Sequence, residues 1–190
     1  IISSVNTLTD ILNEFLSVGK IEEGKIMIRN SNLNIQNHVQ SIINEISGLL
    51  KKGQHISYKH TGEKMMIIDA GILKHIIMNL LSNAIKFSPE NSEVVIRTER
   101  KGDLLLLSVK DQGIGIPKED LKRLFERFYR GSNVTNIQGT GLGLHIVFKY
   151  VELLNGNISC KSETEKGTKF FIQFRLIKEN ELTSAQVAEA

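Results

Sequence analysis

The sequence predicts an α+β fold: a two-layer α/β sandwich in which one layer of helices covers one face of a mixed β-sheet. Long segments with helical apolar periodicity alternate along the chain with short apolar segments typical of strands. Two pairs of strand-like segments flank the turns Lys101-Gly102-Asp103 and Glu165-Lys166-Gly167, which indicate hairpins. Hairpins require antiparallel pairing within an otherwise interleaved order of helices and strands, so the sheet should be mixed.

Caps, turns and apolar spacing place the first elements. We predict a short strand at 25–29, a helix at 35–52 capped by Asn34, and strands near 56–60 and 64–68. A second long helix at 71–87 ends before Pro89.

The later elements follow from the two hairpin turns and a C-terminal glycine signal. The first hairpin joins strands at 94–100 and 104–110, and a short helix is expected near 118–128. A third long helix runs from Thr140 to Asn155, and strands at 157–162 and 168–177 close the fold.

The composition is that of a globular protein with one core. The chain has 190 residues, of which 41% are hydrophobic and 24% charged. Its net charge of +3 is too small to indicate a nucleic-acid partner or an anionic membrane. The single cysteine, Cys160, cannot form an internal disulfide and is expected to pack in a strand. No apolar run is long enough to cross a bilayer.

The first residues show a helical pattern of their own. Ile1, Val5, Leu8, Leu12 and Phe15 alternate spacings of four and three, which fits a bundle helix and an amphipathic helix docked on its own domain equally well. Glycines at 19 and 24 predict a hinge near 19–25. The chain enters this pattern directly, so we expect a fragment of a longer protein whose upstream segments, including any membrane anchor, lie outside it.

One face of the second long helix offers two amides and an ammonium group. Asn79, Asn83 and Lys86 stand at i, i+4 and i+7 and therefore share that face. Mg²⁺ prefers oxygen ligands, and we assign Asn83 as its protein ligand. Lys86 can act as a point charge near phosphates, and Phe87 supplies a flat face near a base. A polar helix face in water is the alternative interpretation.

A carboxylate followed by glycines ends the strand at 104–110. Asp111 can accept a hydrogen bond from the exocyclic amine of adenine, whereas guanine would present a repulsive carbonyl oxygen. Gly113 and Gly115 let the backbone approach a ring without a Cβ clash. We predict that the next residue, Ile116, also contacts the bound ligand. A turn aspartate with tight-turn glycines is the alternative.

A second glycine-rich segment opens the third long helix. Backbone N–H groups at a helix N-terminus, reinforced by the helix dipole, bind phosphate. The segment differs from the Walker pattern and lacks the surroundings of a dinucleotide fold. The predicted phosphate contacts are Gly139, Thr140, Gly141, Leu142, Gly143 and Leu144.

The segment between the two glycine loops, residues 116–138, has the composition of a lid. We expect Phe125 and Phe128 to pack on the core, while Tyr129 and Arg130 face the ligand. Without nucleotide this lid should be poorly ordered.

In this order, these segments resemble the catalytic and ATP-binding domain of bacterial sensor histidine kinases, within the gyrase–Hsp90–kinase–MutL ATPase superfamily. Residues 79–87 look like the N box, 111–115 the first glycine box, 124–130 the F box, and 139–144 the second glycine box. The segment ending in Thr168 is similar to the last glycine motif, whose threonine helps to hold adenine through water. The resemblance implies the Bergerat fold with a flexible ATP lid, and ATP and Mg²⁺ as ligands.

The resemblance also implies a domain division and partners. Residues 1–20 would be the end of the second helix of the dimerisation and phosphoacceptor hairpin, 21–178 the catalytic domain, and 179–190 a polar tail. The acceptor histidine motif is absent from this chain, so the chain alone should not autophosphorylate. Expected partners are a response regulator receiver domain and a second copy through the dimerisation helices. The expected location is cytoplasmic, within a membrane-anchored protein.

One departure from the wider superfamily bears on the reaction. Hydrolytic members carry a water-activating glutamate where this chain has Asn79, an amide that is not a useful base near neutral pH. This favours phosphoryl transfer to histidine over a gyrase-type or chaperone-type ATPase. Two further interpretations are a nucleotide-dependent interaction module without kinase activity and a serine kinase of the anti-sigma type.

Overall fold

The computed structural model describes residues 16, 19–21, 23–134 and 139–177. Its elements, in chain order, are β1 (Asn30–Asn34), α1 (Ile35–Ile46), β2 (His55–Thr61), β3 (Met65–Asp69), α2 (Ala70–Phe87), β4 (Glu93–Lys101), β5 (Leu104–Lys110), α3 (Gly143–Leu153), β6 (Asn157–Glu163) and β7 (Gly167–Arg175). Short 3₁₀ turns lie at Ser47–Leu49 and Ser132–Val134.

The main sheet has five strands in the order β2-β4-β5-β7-β6. β2 pairs with β4 in parallel, and all other neighbours in this sheet are antiparallel. β1 and β3 form a separate antiparallel pair. The sheet is therefore mixed, as the sequence predicts, and both predicted hairpins are confirmed.

The core lies between the helices and one face of the main sheet. Along β4 and β5, buried side chains such as Ile96 and Leu107 alternate with more exposed ones, so only one sheet face is covered. The central helix α2 buries Leu73, Ile77 and Leu81 on its inner side. This arrangement confirms the two-layer sandwich, and it leaves the polar side of α2 available to line a cavity.

Side-chain caps fix the starts of the first two helices. Asn34 Oδ1 accepts a hydrogen bond from the Asn37 amide at 3.1 Å, which confirms the predicted cap of α1. Asp69 Oδ1 caps α2 by accepting from the Ile72 amide at 2.9 Å, while its Oδ2 accepts from the Arg29 amide at 2.6 Å. α2 ends at Phe87, before Pro89, as predicted.

Several predicted boundaries were wrong. The first strand is Asn30–Asn34 rather than 25–29, because the ladder with β3 begins at the pair Asn30↔Asp69. α1 ends at Ile46 and tightens into the 3₁₀ turn. α3 starts at Gly143 instead of Thr140, since Gly141 has φ +74°, outside the helical region.

The predicted heptad pattern at 1–15 and the tail at 179–190 lie outside the described residues. In the part of the chain that the structure does describe, no helix combines the length and the apolar character needed to cross a bilayer.

Candidate functional site

A cavity of about 790 Å³ opens between α2, the two glycine-rich loops and the segment 116–134. All predicted site residues line it except Gly113 and Leu142. Those that do are Asn79, Asn83, Lys86, Phe87, Asp111, Gly115, Ile116, Tyr129, Arg130, Gly139, Thr140, Gly141, Gly143, Leu144 and Thr168.

The polar face of α2 forms one wall of the cavity. Asn79 Nδ2 donates to the His75 carbonyl at 3.1 Å, which fixes the orientation of that amide. A Cβ at Gly143 would lie 2.8 Å from Asn79 Oδ1, and a Cβ at Gly139 would lie 3.1 Å from Lys86 Nζ. The second glycine loop therefore packs directly against this wall, and side chains at 139 or 143 would fill the space between them.

The C-terminal end of α2 is held by two side chains that sequence reasoning missed. Lys51 Nζ donates to the carbonyls of Lys86 and Ser88 at 2.8 and 2.6 Å. The buried Gln54 donates to the carbonyls of Ile85, Ser88 and Pro89. Cations near a helix C-terminus are favourable because they interact with its exposed carbonyls. No short motif marks these positions, since the contacts span more than thirty residues.

Asp111 is a buried carboxylate at the floor of the cavity. Its Oδ1 accepts from the amides of Gly113 at 2.8 Å and Thr168 at 3.0 Å, and its side chain is cut off from most solvent. Burial raises the pKa of this carboxyl, and the two backbone hydrogen bonds oppose that rise. The carboxylate is thus rigidly placed and lacks full hydration, which suits it to a hydrogen-bond donor on a ligand.

Two glycines beside Asp111 are required by close backbone approaches. Gly115 has φ +69°, and a Cβ there would lie 2.1 Å from the Glu163 carbonyl oxygen. Gly167 has φ +95°, and a Cβ there would lie 2.2 Å from the Asp111 carbonyl oxygen. The first glycine loop and the β6–β7 turn are therefore pressed together around the carboxylate.

Gly113 and Leu142 support the site from behind the cavity. The Ile114 amide donates to the Phe87 carbonyl at 3.2 Å, and a Cβ at Gly113 would lie 2.7 Å from the same oxygen. Leu142 is buried in the core, and its amide donates to Thr140 Oγ1 at 3.1 Å. Neither residue lines the cavity, and their predicted contact with a ligand stays a prediction.

The segment 116–134 forms turns instead of the predicted helix at 118–128. The buried Asp120 side chain organises it: Oδ1 accepts from the Tyr129 hydroxyl at 2.6 Å, and Oδ2 accepts from the Ser132 amide at 2.8 Å. These hydrogen bonds lower the pKa of Asp120. Asn133 Nδ2 donates to the Gly115 carbonyl at 2.9 Å and links this segment to the first glycine loop.

The aromatic residues of this segment divide differently from the prediction. Phe125 packs against the core and stacks on Phe148 with ring centroids 5.5 Å apart, as expected. Phe128 is 56% exposed, so its predicted packing on the core was wrong. Its φ of +62° belongs to a turn that places the side chain outward, while Tyr129 and Arg130 line the cavity.

The segment 116–134 also contacts the second glycine loop and α3. A Cβ at Gly141 would lie 2.7 Å from the Phe128 carbonyl carbon. His145, buried in the first turn of α3, forms a 2.9 Å hydrogen bond through Nδ1 to the Phe125 carbonyl. A carbonyl only accepts, so Nδ1 carries the proton.

Several cavity residues were not predicted individually. They come mostly from the turns of 116–134 and from the apolar walls, and they are Leu49, Ser82, Ile114, Asp120, Leu124, Gly131, Asn133, Val134 and Phe170. Ser82 could have been found, because it stands three residues after Asn79 on the same helix face.

The described residues hold no group of three or more His, Cys, Asp or Glu side chains that could bind a metal ion. A cation in this cavity would therefore need most of its oxygen ligands from a bound molecule or from water.

Cys160 packs partly buried in β6, and burial raises the pKa of its thiol to about 12, so it is not a nucleophile.

Comparison with known proteins agrees with this geometry. The family model described as "Histidine kinase-, DNA gyrase B-, and HSP90-like ATPase" matches residues 68–178, which run from the end of β3 to just beyond β7. This stretch includes every predicted site residue.

Curated relatives are longer than this chain. Over 178 residues it is 29% identical to the signal transduction histidine-protein kinase ArlS of Staphylococcus epidermidis, covering 93% of this chain and 39% of ArlS. Over 165 residues it is 32% identical to the sensor histidine kinase WalK of Bacillus subtilis, covering 83% of this chain and 27% of WalK. The chain thus spans well under two thirds of these relatives.

A solved structure shares the fold. Full-length ShkA in complex with AMPPNP superposes with a TM-score of 0.81 at 23% identity, covering 93% of this chain and 37% of that chain.

Proposed function

Because this chain belongs to the histidine kinase-, DNA gyrase B- and HSP90-like ATPase family, we propose that it is the ATP-binding catalytic domain of a sensor histidine kinase. The observation that carries the proposal is the buried carboxylate of Asp111 at the floor of a cavity whose walls are the α2 amide face and two glycine loops. One end of this cavity suits an aminopurine, and the other suits phosphates.

The adenine end is formed by Asp111 and Thr168. The fixed carboxylate would accept a hydrogen bond from the exocyclic amine of adenine, and it would repel the carbonyl oxygen that guanine carries in that position. The Thr168 hydroxyl lies 2.9 Å from the Ser162 hydroxyl, within the network that surrounds the carboxylate. Phe87 and Ile116 supply apolar surface for the ring.

The phosphate end is formed by the second glycine loop and the start of α3. An eleven-residue helix begins there, and its unpaired amides and dipole favour bound anions. Lys86 and Arg130 line the same cavity and would balance phosphate charge. Gly139, Gly141 and Gly143 would let the backbone approach the phosphates closely.

Mg²⁺ fits this site as a partner of the phosphates. Asn83 lines the cavity on the α2 face and offers the amide oxygen that we assign as protein ligand. When bound, Mg²⁺ would supply charge neutralisation at the phosphates, with its remaining ligands from phosphate oxygens and water.

Asn79 favours transfer over hydrolysis. Its amide is held by the His75 carbonyl and cannot take a proton from water near neutral pH. The residues of the site would therefore position the nucleotide for attack by a neutral imidazole, which needs little covalent participation by the protein.

The partners and location belong to the same proposal. The acceptor histidine would lie on a dimerisation helix outside this chain, and a response regulator receiver domain would take the phosphoryl group from it. The named relatives support this assignment. We place the domain in the cytoplasm, where ATP is available, with membrane attachment through other segments of the longer protein.

The test is to incubate the longer protein, carrying this domain and a dimerisation hairpin, with γ-labelled ATP and Mg²⁺. We expect an acid-labile, base-stable phosphoryl label, as phosphohistidine gives, and its loss in Asp111→Asn. Acid-stable label would indicate phosphoserine and contradict the proposal, as would ATP hydrolysis without any labelled protein.

A further inference from the structure

The sheet face opposite the helices carries five cations that the nucleotide site does not use. We define the basic sheet patch as Lys59, Arg97, Lys110, Lys161 and Lys169. Their registers place Lys110 opposite Lys169, Lys169 opposite Lys161, and Lys59 opposite Arg97 on neighbouring strands. Every one of these cross-strand pairs brings like charges together on one face.

This arrangement is unfavourable in the isolated domain. Like charges directly opposite each other on adjacent strands are destabilising. Two of the ammonium groups share one aromatic ring, because Lys169 Nζ lies 4.3 Å and Lys161 Nζ 5.8 Å from the Phe171 ring centroid. Burial lowers the pKa of Lys169, and the charges of Arg97, Lys110 and Lys161 lower it further.

The patch also lacks the counter-charges that lysines elsewhere on the protein have. Among the described residues, no ion pair involves any of its five members, whereas Lys74, Lys149 and Lys166 pair with Glu45, Glu152 and Glu163. An external anion would relieve the repulsion within the patch, because opposite charges within a few ångströms favour each other's charged forms.

Two carboxylates at the edge of the basic sheet patch limit the kind of anion that the patch can bind. Glu99 stands two residues beyond Arg97 on the same face of β4, and Glu163 two residues beyond Lys161 on β6. Both are exposed. A uniformly anionic bilayer or nucleic-acid backbone covering the face would also cover these carboxylates. A protein surface can place acidic side chains over the lysines alone.

We propose that the basic sheet patch is a docking surface for an acidic protein partner, one that presents a cluster of Asp and Glu side chains. Complementary charge of this kind contributes mostly to the rate of association and to partner choice. The interaction is therefore expected to be salt-sensitive and transient.

The patch lies back to back with the adenine end of the proposed ATP site. Lys110 directly precedes Asp111, and Lys169 directly follows Thr168, but successive strand residues point to opposite faces. A partner on the patch would leave the cavity open. Binding of an acidic partner by the patch is therefore independent of ATP binding in the cavity, and either can fail without the other.

The test uses a fluorescein-labelled oligoglutamate peptide as a defined acidic probe, with binding followed by fluorescence anisotropy at low ionic strength. The patch variant is Lys110→Gln/Lys161→Gln/Lys169→Gln. We expect roughly tenfold weaker peptide binding, because the modest contributions of three exposed charge pairs add up. Circular dichroism and an unfolding midpoint at least as high as that of the wild type would show that the variant is folded.

A control variant of equal charge is available. Lys25→Gln/Lys74→Gln/Lys149→Gln removes three lysines that are ion-paired with Glu23, Glu45 and Glu152, and we expect it to bind the peptide nearly as well as the wild type. Equal losses in both variants would overturn the proposal, since net charge alone would then explain binding. Absence of peptide binding to the wild type would also overturn it. So would stronger binding to phosphatidylserine vesicles or oligothymidylate than to the peptide.

Discussion

At the scale of single residues, the site depends on Asp111. Its Oδ1 is held by two backbone amides, so the carboxylate cannot turn away from the cavity without losing both hydrogen bonds. Burial raises the pKa of this carboxyl more than the hydrogen bonds from the Gly113 and Thr168 amides lower it, because desolvation of a charged group is unfavourable unless donors surround it. A ligand amine would supply a further donor.

Replacing this carboxylate by an amide tests its role. In Asp111→Asn the amide oxygen would accept from the Gly113 and Thr168 amides in place of Oδ1, so the side chain would turn its N–H groups towards the adenine amine. We expect ATP affinity to fall about tenfold to a hundredfold, about 1.4 to 2.8 kcal/mol, by isothermal titration calorimetry. Asp103→Asn serves as control, because Asp103 is a partly exposed turn residue that pairs with Arg175 and does not line the cavity, so affinity should be unchanged. An unaltered affinity in Asp111→Asn would remove the residue from adenine recognition.

The raised pKa of Asp111 also predicts a pH dependence. ATP affinity should fall as pH is lowered through this pKa, which lies above the usual 3.8 of an aspartate, because the protonated carboxyl is a poorer acceptor. Its contribution to folding has the opposite sign: a raised pKa means that folding favours the protonated form, so stability rises as pH falls through it. Loss of affinity therefore cannot be ascribed to unfolding through this group.

The control for this titration is Asp111→Asn, which retains the titration of the nucleotide phosphates. We expect its calorimetric affinity profile to lack the step assigned to the carboxyl. An identical acid profile in both proteins would refute the assignment.

At the scale of elements, the segment 116–134 and the second glycine loop hold each other. Gly141, with φ +74°, lies against the backbone of Phe128, and His145 in α3 binds the Phe125 carbonyl. Asp120 ties the two ends of the segment together through Tyr129 and Ser132. A turn-rich segment held by side chains can change shape with few broken backbone hydrogen bonds, which suits a lid.

A methyl group at Gly141 should separate the two loops. In Gly141→Ala the new Cβ would meet the Phe128 backbone at 2.7 Å. The positive φ adds strain of about 1 kcal/mol. We expect ATP affinity to fall at least roughly tenfold, by calorimetry. Gly102→Ala is the matched control, since its φ is +64° with nothing within 4 Å of a Cβ, and it should lose stability without losing affinity. Equal affinity of both variants would contradict the proposed contact.

Elements were predicted best where local signals decide them. The β4–β5 hairpin and α2 were predicted nearly to the residue, because a glycine turn, a proline and a continuous apolar stripe define them. The helix at 118–128 was predicted wrongly, since long-range and side-chain contacts of Asp120 outweigh local helical periodicity. The flexibility of the lid stays a prediction.

At the scale of the whole molecule, α2 joins the core to the site. Its inner side packs Leu73, Ile76 and Leu80 at the centre of the sandwich, while its outer side presents the cavity amides. The strand order was not predictable from the sequence, because parallel pairing of β2 with β4 joins segments separated by α2. Most cavity residues could be predicted because they belong to short sequence motifs. Lys51 and Gln54 could not, because their hydrogen bonds to the end of α2 join segments more than thirty residues apart.

Core packing around α2 should determine the stability of the domain. Leu73 is fully buried, so Leu73→Ala should lower the free energy of unfolding by about 2–5 kcal/mol in denaturant titrations. Met27→Ala, at a residue that is 71% exposed, should change it by less than about 0.5 kcal/mol. Similar small losses in both variants would contradict the central position of α2.

A crystal structure of the domain with Mg²⁺ and a non-hydrolysable ATP analogue would test the proposed nucleotide site most directly. We expect the adenine amine within hydrogen-bonding distance of the Asp111 carboxylate and the metal ion on the Asn83 amide oxygen, with the phosphates against residues 139–144. A nucleotide bound outside this cavity, or a metal ion without contact to Asn83 and a base without contact to Asp111, would contradict it.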